Sequence, residues 1–236
     1  MLSIVIPAYN EEVRLGTTLE RLRMELPTAE IVVVDDGSHD RTSEIAREGG
    51  ARVIRYPLNR GKGFALRTGM MAAAGDPILF SDADLSTPIQ EASRLEERLE
   101  SGFHVAIGSR KLPGAQLLKR QPFFREILGK GFTLLSQLSL GVRVSDFTCG
   151  FKMFTRACAR DLFARLTIDR WGFDCEILFL ARRLGYRVVE VPVAWANDVQ
   201  TRVNLARDVM QSFLDLVRIR LNTSCGRFGR RRDERV

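Results

Sequence analysis

The chain has 236 residues and a formal net charge of +7, with 45% hydrophobic and 28% charged residues. That length and balance fit one large soluble α/β domain with ample core, and the positive excess points to an anionic partner: nucleic acid, a lipid surface or phosphorylated substrates. Only His39 and His104 are present, which excludes a multi-histidine metal centre, and no uncharged apolar run approaches the roughly 18 residues of a spanning helix.

In chain order, "LSIVIPA" (2–8) reads as a fully buried strand. Asn10 then stands where it can cap a helix whose first turn holds Glu11 and Glu12, where the helix dipole favours acids. Leu15, Leu19, Leu22 and Leu26 repeat at helical spacing behind it. "EIVVVDDGS" predicts a second buried strand. Asp40 caps a short helix, "RTSEIARE", which Gly49 and Gly50 end. "ARVIRYP" predicts a third strand, and "GKGFALRTGMMAAAG" a small-residue helix able to lie close on a sheet. "PILFSD" is a fourth strand, "IQEASRLEERLESG" a helix closed by Gly102, and "HVAIGSR" a fifth strand. Beyond about residue 115 the alternation loosens, with large apolar residues mixed with Lys119, Arg120, Arg125 and Lys130. "DFTCGFKMF", the helix "WGFDCEILFLARRLG", the strand "YRVVEVPVAW" and an amphipathic helix over 204–221 follow. The basic stretch 222–236 is expected to be a disordered tail.

Strands separated by helices, with little alternation inside each strand, predict βαβ units and a mainly parallel sheet. Ligands of such sheets bind beyond the carboxyl ends of the strands. Here those ends read "PAYNE", "DDGS", "DAD" and "GSR", so polar, chemically capable residues collect at one edge. Asp82 and Asp84 point to the same side of an extended chain. Two such carboxylates repel unless a divalent cation or a hydroxyl-rich ligand lies between them; the alternative is a polar turn before the next helix. Cysteines 149, 158, 175 and 225 have neither zinc-site spacing nor a disulfide ladder, so free thiols in a reducing compartment are expected. "GKG" (61–63) is not a complete dinucleotide-binding pattern and does not sit in the first βα turn. Its glycines and Lys62, near a helix start, can still approach phosphate.

The ordered set "IVIPAYNEE", "VVVDDGSHDRT", "NRGKGFALRTGM", "FSDADLSTP", "AIGSR", "DFTCGFKMF", "FDCEILFLARRLGY" and "VEVPVAW" resembles the inverting family 2 glycosyltransferases with a GT-A fold. The likeness covers residues 2–221. It is greatest to dolichyl-phosphate β-glucosyltransferases, with dolichyl-phosphate mannosyltransferases next. The resemblance implies one domain over 1–221, with a nucleotide-sugar half (1–114) and an acceptor half with interfacial helices (115–221). It implies transfer of a hexose, glucose from UDP-glucose first and mannose from GDP-mannose second, to a polyprenyl or dolichyl phosphate. It also implies Mg²⁺ or Mn²⁺, a membrane surface and a peripheral place on the cytosolic face. The N-terminus enters a strand almost at once, with no charged region before a long apolar run, so no signal peptide is expected, and no nucleic-acid partner is expected.

By the same resemblance, Pro7, Ala8, Tyr9, Glu11, Val34, Asp35, Asp36, Lys62, Asp82 and Ala83 form the nucleotide-sugar pocket. On residue chemistry alone Asp35 is equally a structural turn acid, and Tyr9 a packing residue. Asp84, with Asp82 and Ser86, stands at the metal position; mannosyltransferase relatives often place a glutamine where Ser86 is. Arg110 and Arg202 are the cations expected on the acceptor phosphate. Asp174 and Glu176 lie where relatives with hydroxyl acceptors keep a catalytic base. Two other classes remain open from the sequence. A sugar nucleotidyltransferase is expected to show a Gly-rich N-terminal loop, where "PAYNEE" stands. A basic nucleic-acid-binding protein is expected to show its charge as a patch with exposed aromatics, whereas here the C-terminal stretch supplies much of it.

Overall fold

The computed structural model describes residues 1–119, 123–196, 205–224 and Phe228. The first half is a run of βα units: β1 (Ser3–Ala8), α1 (Leu15–Glu25), β2 (Glu30–Asp35), α2 (Thr42–Glu48), β3 (Arg52–Arg55), α3 (Lys62–Ala72), β4 (Ile78–Ser81), α4 (Ala92–Glu100) and β5 (Val105–Ser109). The second half adds β6 (Gln116–Lys119), α5 (Phe123–Leu140), β7 (Phe151–Phe154), α6 (Arg156–Arg165), α7 (Phe173–Arg183), β8 (Val188–Pro192), β9 (Ala194–Ala196) and α8 (Leu205–Ser224).

Seven strands form one sheet in the order β3-β2-β1-β4-β7-β5-β8. All pairings are parallel except those of β7, which runs antiparallel to both β4 and β5. The reversed strand brings its beginning, rather than its end, to the edge where β4 and β5 finish. Successive residues of each strand alternate between two helix layers. Val5, Val32, Val34, Phe80 and Ile107 share one buried cluster with Leu66 and Met70 of α3, Phe163 of α6 and Leu178 of α7. Ile4, Ile6, Ile31, Val33 and Leu79 face the other, with Leu15, Leu19 and Leu22 of α1 and Leu95 of α4. Burial on both faces explains why these strands read as continuous apolar runs. β6 and β9 make a separate two-stranded parallel pair.

Several local expectations need correction. Asn10 does not cap α1: it takes a left-handed φ of 55°, its side-chain oxygen accepts the His39 N–H at 2.9 Å, and the helix begins later, at Leu15. "YRVVEVPVAW" is not one strand but β8 and β9, divided between the two sheets around Val193, whose N–H still reaches the Ser109 carbonyl at 3.2 Å. The last helix continues to Ser224, and Phe228 is buried with its ring centroid 6.1 Å from that of Phe179, so the described residues of the stretch expected as tail are a helix end and one core aromatic. Cys149, Cys158 and Cys175 are buried free thiols; Cys225 lies outside the described residues. Among the described residues, no helix is long and apolar enough to cross a membrane.

Candidate active site

The ends of β1, β2, β4 and β5 and the start of β7 form one polar edge. Two acid pairs stand on it. At the end of β2, Asp35 is fully buried; its carboxylate accepts the Ser38 N–H at 2.8 Å and the Ser43 hydroxyl, and meets Arg55 at 3.4 Å. It builds a turn. Asp36 accepts the main-chain N–H groups of Arg60 at 2.7 Å and Gly61 at 2.8 Å, and the Asn59 side chain at 2.9 Å. It therefore fixes the loop that starts α3. The "GKG" glycines are explained there. A Cβ on Gly61 (φ 106°) would come within 2.5 Å of the Asp169 carbonyl oxygen, and one on Gly63 within 2.4 Å of that of Ile168. The close approach sets Lys62, the first residue of α3.

The rest of the expected nucleotide pocket divides. Pro7 and Ala8 lie in register with Val34 and Asp35, but the side chains of Ala8 and Val34 belong to the two cores, leaving only their main chain at the edge. Tyr9 follows directly on β1. The Glu11 N–H is accepted by the Thr42 hydroxyl at 2.7 Å and its carboxylate pairs with Arg14.

The second acid pair has a different environment. Lys62 Nζ lies 2.6 Å from Asp82 Oδ1, and 5.2 and 5.5 Å from the ring centroids of Phe80 and Trp171. Burial alone would lower the Lys62 ammonium; the charges of Asp82, Asp174 and Asp84 outweigh it and hold it above its ordinary value. Burial first, and then the charge of Asp82, pushes the Asp84 carboxyl above the usual carboxylate range, against hydrogen bonds from Ser86. The Ser86 N–H reaches Asp84 Oδ1 at 2.9 Å. Ala83 is pinned by its carbonyl, which accepts the Thr18 hydroxyl at 2.6 Å. Gly150 permits the arrangement, since a Cβ there would stand 1.9 Å from Asp82 Oδ2.

Arg110 ends β5 at this edge as expected, but its fork already holds a carboxylate. Nε and Nη2 donate to Asp146 at 2.7 and 2.8 Å, and Nη2 also to the Thr148 hydroxyl at 3.0 Å. Burial opposes ionisation of Asp146, yet the Arg110 charge overrides it and holds the carboxyl at about 2. Glu190 accepts the N–H groups of Ser145 and Asp146 at 2.8 and 3.0 Å, which fixes that loop from β8. The guanidinium expected on the acceptor phosphate thus grips a neighbouring acid in two-pronged fashion, an alternative the run "GSR" alone does not reveal.

Asp174 and Glu176 lie in the first turn of α7 and separate in role. Asp174 joins the charged cluster: it pairs with Lys152 and is attracted also by Lys62. Glu176 instead accepts the N–H groups of Thr167 and Ile168 at 3.0 and 2.8 Å and the Thr167 hydroxyl at 2.6 Å, holding the loop beneath Gly63. A base role for Glu176 is not supported by that placement. Arg202 lies outside the described residues. Lys152, Asp146 and Gly150 were not singled out from the sequence. The available signal for Lys152 was a charge inside the short apolar run "FKMF", which requires a buried partner.

Lys62, Lys152 and Arg110 are each paired with an acid, and among the described residues Asp84 is left without a cation of its own. Among the described residues no three acid, cysteine or histidine side chains converge on one point. The Asp82 and Asp84 carboxylates are hard oxygen donors of the kind that would hold a divalent cation. The observation behind that fit is Asp84, whose carboxyl is raised by its own desolvation and then by the charge of the nearby Asp82.

The glycosyl transferase family 2 model matches residues 3–163. The chain is similar to a dolichyl-phosphate beta-glucosyltransferase of Drosophila melanogaster, 40% identical over 218 residues that span 83% of this chain and 67% of that one. A protein of the same name from Homo sapiens is 34% identical over 247 residues, spanning 95% and 76%; one from Dictyostelium discoideum is 33% identical over 246 residues, spanning 95% and 75%. Among solved structures, glucosyl-3-phosphoglycerate synthase from Mycobacterium tuberculosis, crystallised with Mn²⁺, UDP and glucosyl-3-phosphoglycerate, aligns with a TM-score of 0.70. That alignment covers 93% of this chain and 79% of the other at 21% identity, a likeness of fold.

Proposed function

Given that the chain belongs to glycosyl transferase family 2 and is a glycosyltransferase, we propose that it transfers glucose from UDP-glucose to a polyprenyl or dolichyl phosphate with inversion at the sugar carbon. The observation that carries this reading is the Lys62–Asp82–Asp84 cluster at the strand edge, beside the Arg110–Asp146 pair. Family membership favours sugar transfer over nucleotidyl exchange or nucleic-acid binding. The names of the similar proteins support glucose over mannose and dolichyl phosphate as acceptor.

Asp84 and Asp82, with Ser86 alongside, would hold Mg²⁺ or Mn²⁺, which when bound neutralises the charge that develops on the departing diphosphate. Lys62 places a second positive charge at the same acids. Asp36 works one step back, through the loop that presents Lys62. A lipid phosphate is already anionic near neutral pH, so it needs orientation more than deprotonation. Arg110 supplies positive charge on that side, shared with Asp146.

The acceptor's chain also needs an apolar surface. α5 and α8 meet through Phe132 and Phe213, whose ring centroids lie 6.2 Å apart. Leu128, Leu134 and Leu138 of α5 and Met210, Leu214, Val217 and Leu221 of α8 are exposed. Apolar stripes of this size on two adjoining helices support contact with a lipid surface, on the cytosolic face in our reading.

The test is a panel of nucleotide sugars offered with a short polyprenyl phosphate, reading radiolabel in the organic phase. Label from UDP-glucose is expected. Label from GDP-mannose alone, or from no donor, overturns the proposal.

A further inference from the structure

Lys152 is the least expected charge in the sheet. It lies within β7, its register partners are Phe80 and Ile107, and it is 1% exposed. An ammonium is not taken out of water at such a place without compensation. It donates to the Cys149 carbonyl at 2.6 Å and to the Asp174 carboxylate. The Phe80 ring lies 5.5 Å from Lys152 Nζ and 5.2 Å from Lys62 Nζ, so both ammonium groups stand over one ring. Asp174 feels both charges, and Lys62 in turn meets Asp82. Charges therefore alternate from the sheet interior outward: Lys152, Asp174, Lys62, Asp82. Buried ion pairs can often be exchanged for apolar residues at little cost in stability. This one adjoins the acid pair of the site, and Cys149, which Lys152 also grips, sits beside Gly150 in the loop packed on Asp82.

We propose that Lys152 is a positioning residue for the reaction: its buried ammonium fixes Asp174, and Asp174 keeps Lys62 directed at the Asp82–Asp84 pair. The catalytic meaning of that alignment rests on the transfer reading above; the alignment itself does not. Asp174, held by Lys152, is then a spacer between two cations and not a base toward the acceptor, which suits an acceptor that arrives as an anion.

The test uses the full chain and three variants: Lys152→Met, Lys152→Arg and the apolar pair Lys152→Met/Asp174→Leu. The first readout needs no substrate: the acylation rate of Lys62 by an N-hydroxysuccinimide ester, followed by peptide mass spectrometry. The apolar pair is expected to melt close to wild type while Lys62 reacts about tenfold faster, because its side chain is no longer held against the Asp82 carboxylate. Lys152→Arg, which retains the charge, is expected to keep the slow rate. The second readout is kinetic. The apolar pair is expected to lose roughly 10–100-fold in kcat with the KM for polyprenyl phosphate within about threefold. If Lys152→Met does not fold, the apolar pair carries the decision. Wild-type Lys62 reactivity or wild-type kcat in the apolar pair overturns the proposal, leaving only a packing role. A raised acceptor KM with unchanged kcat overturns it too and moves Lys152 to the acceptor. If the wild-type chain transfers no sugar while Lys62 reactivity responds as expected, the transfer reading fails and the charge alignment stands.

Discussion

The ends of β2 and β4 carry the same chemistry in the sequence and opposite fates in the structure. Asp35 and Asp36 are adjacent, point to different sides, and are filled by hydrogen bonds from their own neighbourhood: Ser38 and Ser43 for one, Asn59, Arg60 and Gly61 for the other. Asp82 and Asp84 lie one residue apart in the turn that follows β4, where the Leu85 N–H returns to the Asp82 carbonyl at 3.4 Å; Asp82 meets a lysine, and its charge bears on Asp84. A carboxylate surrounded by main-chain N–H groups serves the backbone. One desolvated beside a like charge is left with an electrostatic demand that a bound cation meets. The lesson is that surroundings decide: the acids after β2 are taken up by their own loops, whereas those after β4 meet a lysine and a like charge.

The most severe way to break this comparison is Asp84→Ala. Turnover should fall by at least about 10³-fold, with a melting temperature within about 3 °C of wild type, because the residue lies beyond the last strand pairing. Removing divalent cations from the wild type with EDTA should have the same effect, and full activity in EDTA would remove the acid pair from the chemistry. Gly150→Ala tests the geometry without touching a charge. The new methyl group displaces the Asp82 carboxylate, and kcat should drop by about 10–100-fold at near-normal stability.

The β2 end should respond in the opposite sense. Asp35→Ala and Asp36→Ala should each cost about 1–3 kcal/mol in urea unfolding, the loss of charged hydrogen bonds. Only Asp36→Ala should also weaken nucleoside diphosphate binding in calorimetry, because its loop presents Lys62. Equal affinity in both variants would sink the distinction.

A third acid sharpens the contrast with the smallest effect. The Asp146 carboxyl lies at about 2 in the folded chain against 3.8 ordinarily. A depressed folded value means that its stabilisation is complete above about pH 4 and is lost as pH falls toward 2, at most about 2 kcal/mol. Urea unfolding at pH 5 and pH 3 should show this loss in wild type and a smaller slope in Asp146→Asn.

Much of the first half was legible because buried parallel strands announce themselves as apolar runs. β1 to β5, their helices and the polar edge follow from that pattern; Asp82 and Asp84 follow from their place after β4, but they stand in a turn there and not on an extended chain, so strand alternation does not describe them. β7 was not legible as a strand: four residues with a lysine among them give no period, and its place between β4 and β5 depends on partners distant in sequence. The same distance hid Asp146 from Arg110 and Lys152 from Asp174, 36 and 22 residues apart. Glu176 shares the first turn of α7 with Asp174, and only the packing of the 167–168 loop separates their roles. Asn10 misled because a loop hydrogen bond to His39 won over the cap.

The reversed strand also bears on how the molecule comes into being. β4 and β5 do not pair; within the sheet β7 alone joins the four-stranded block β3-β2-β1-β4 to the pair β5-β8. A nascent chain that has emerged only as far as residue 150 has made both flanking strands and not the one that joins them. Until Phe151–Phe154 is threaded in, two open strand edges face each other across a gap, and exposed edges recruit strands from other chains. The segment that brings Gly150 to the polar edge is thus also the keystone of assembly, so synthesis must pass the middle of the sequence before the first half is safe from aggregation.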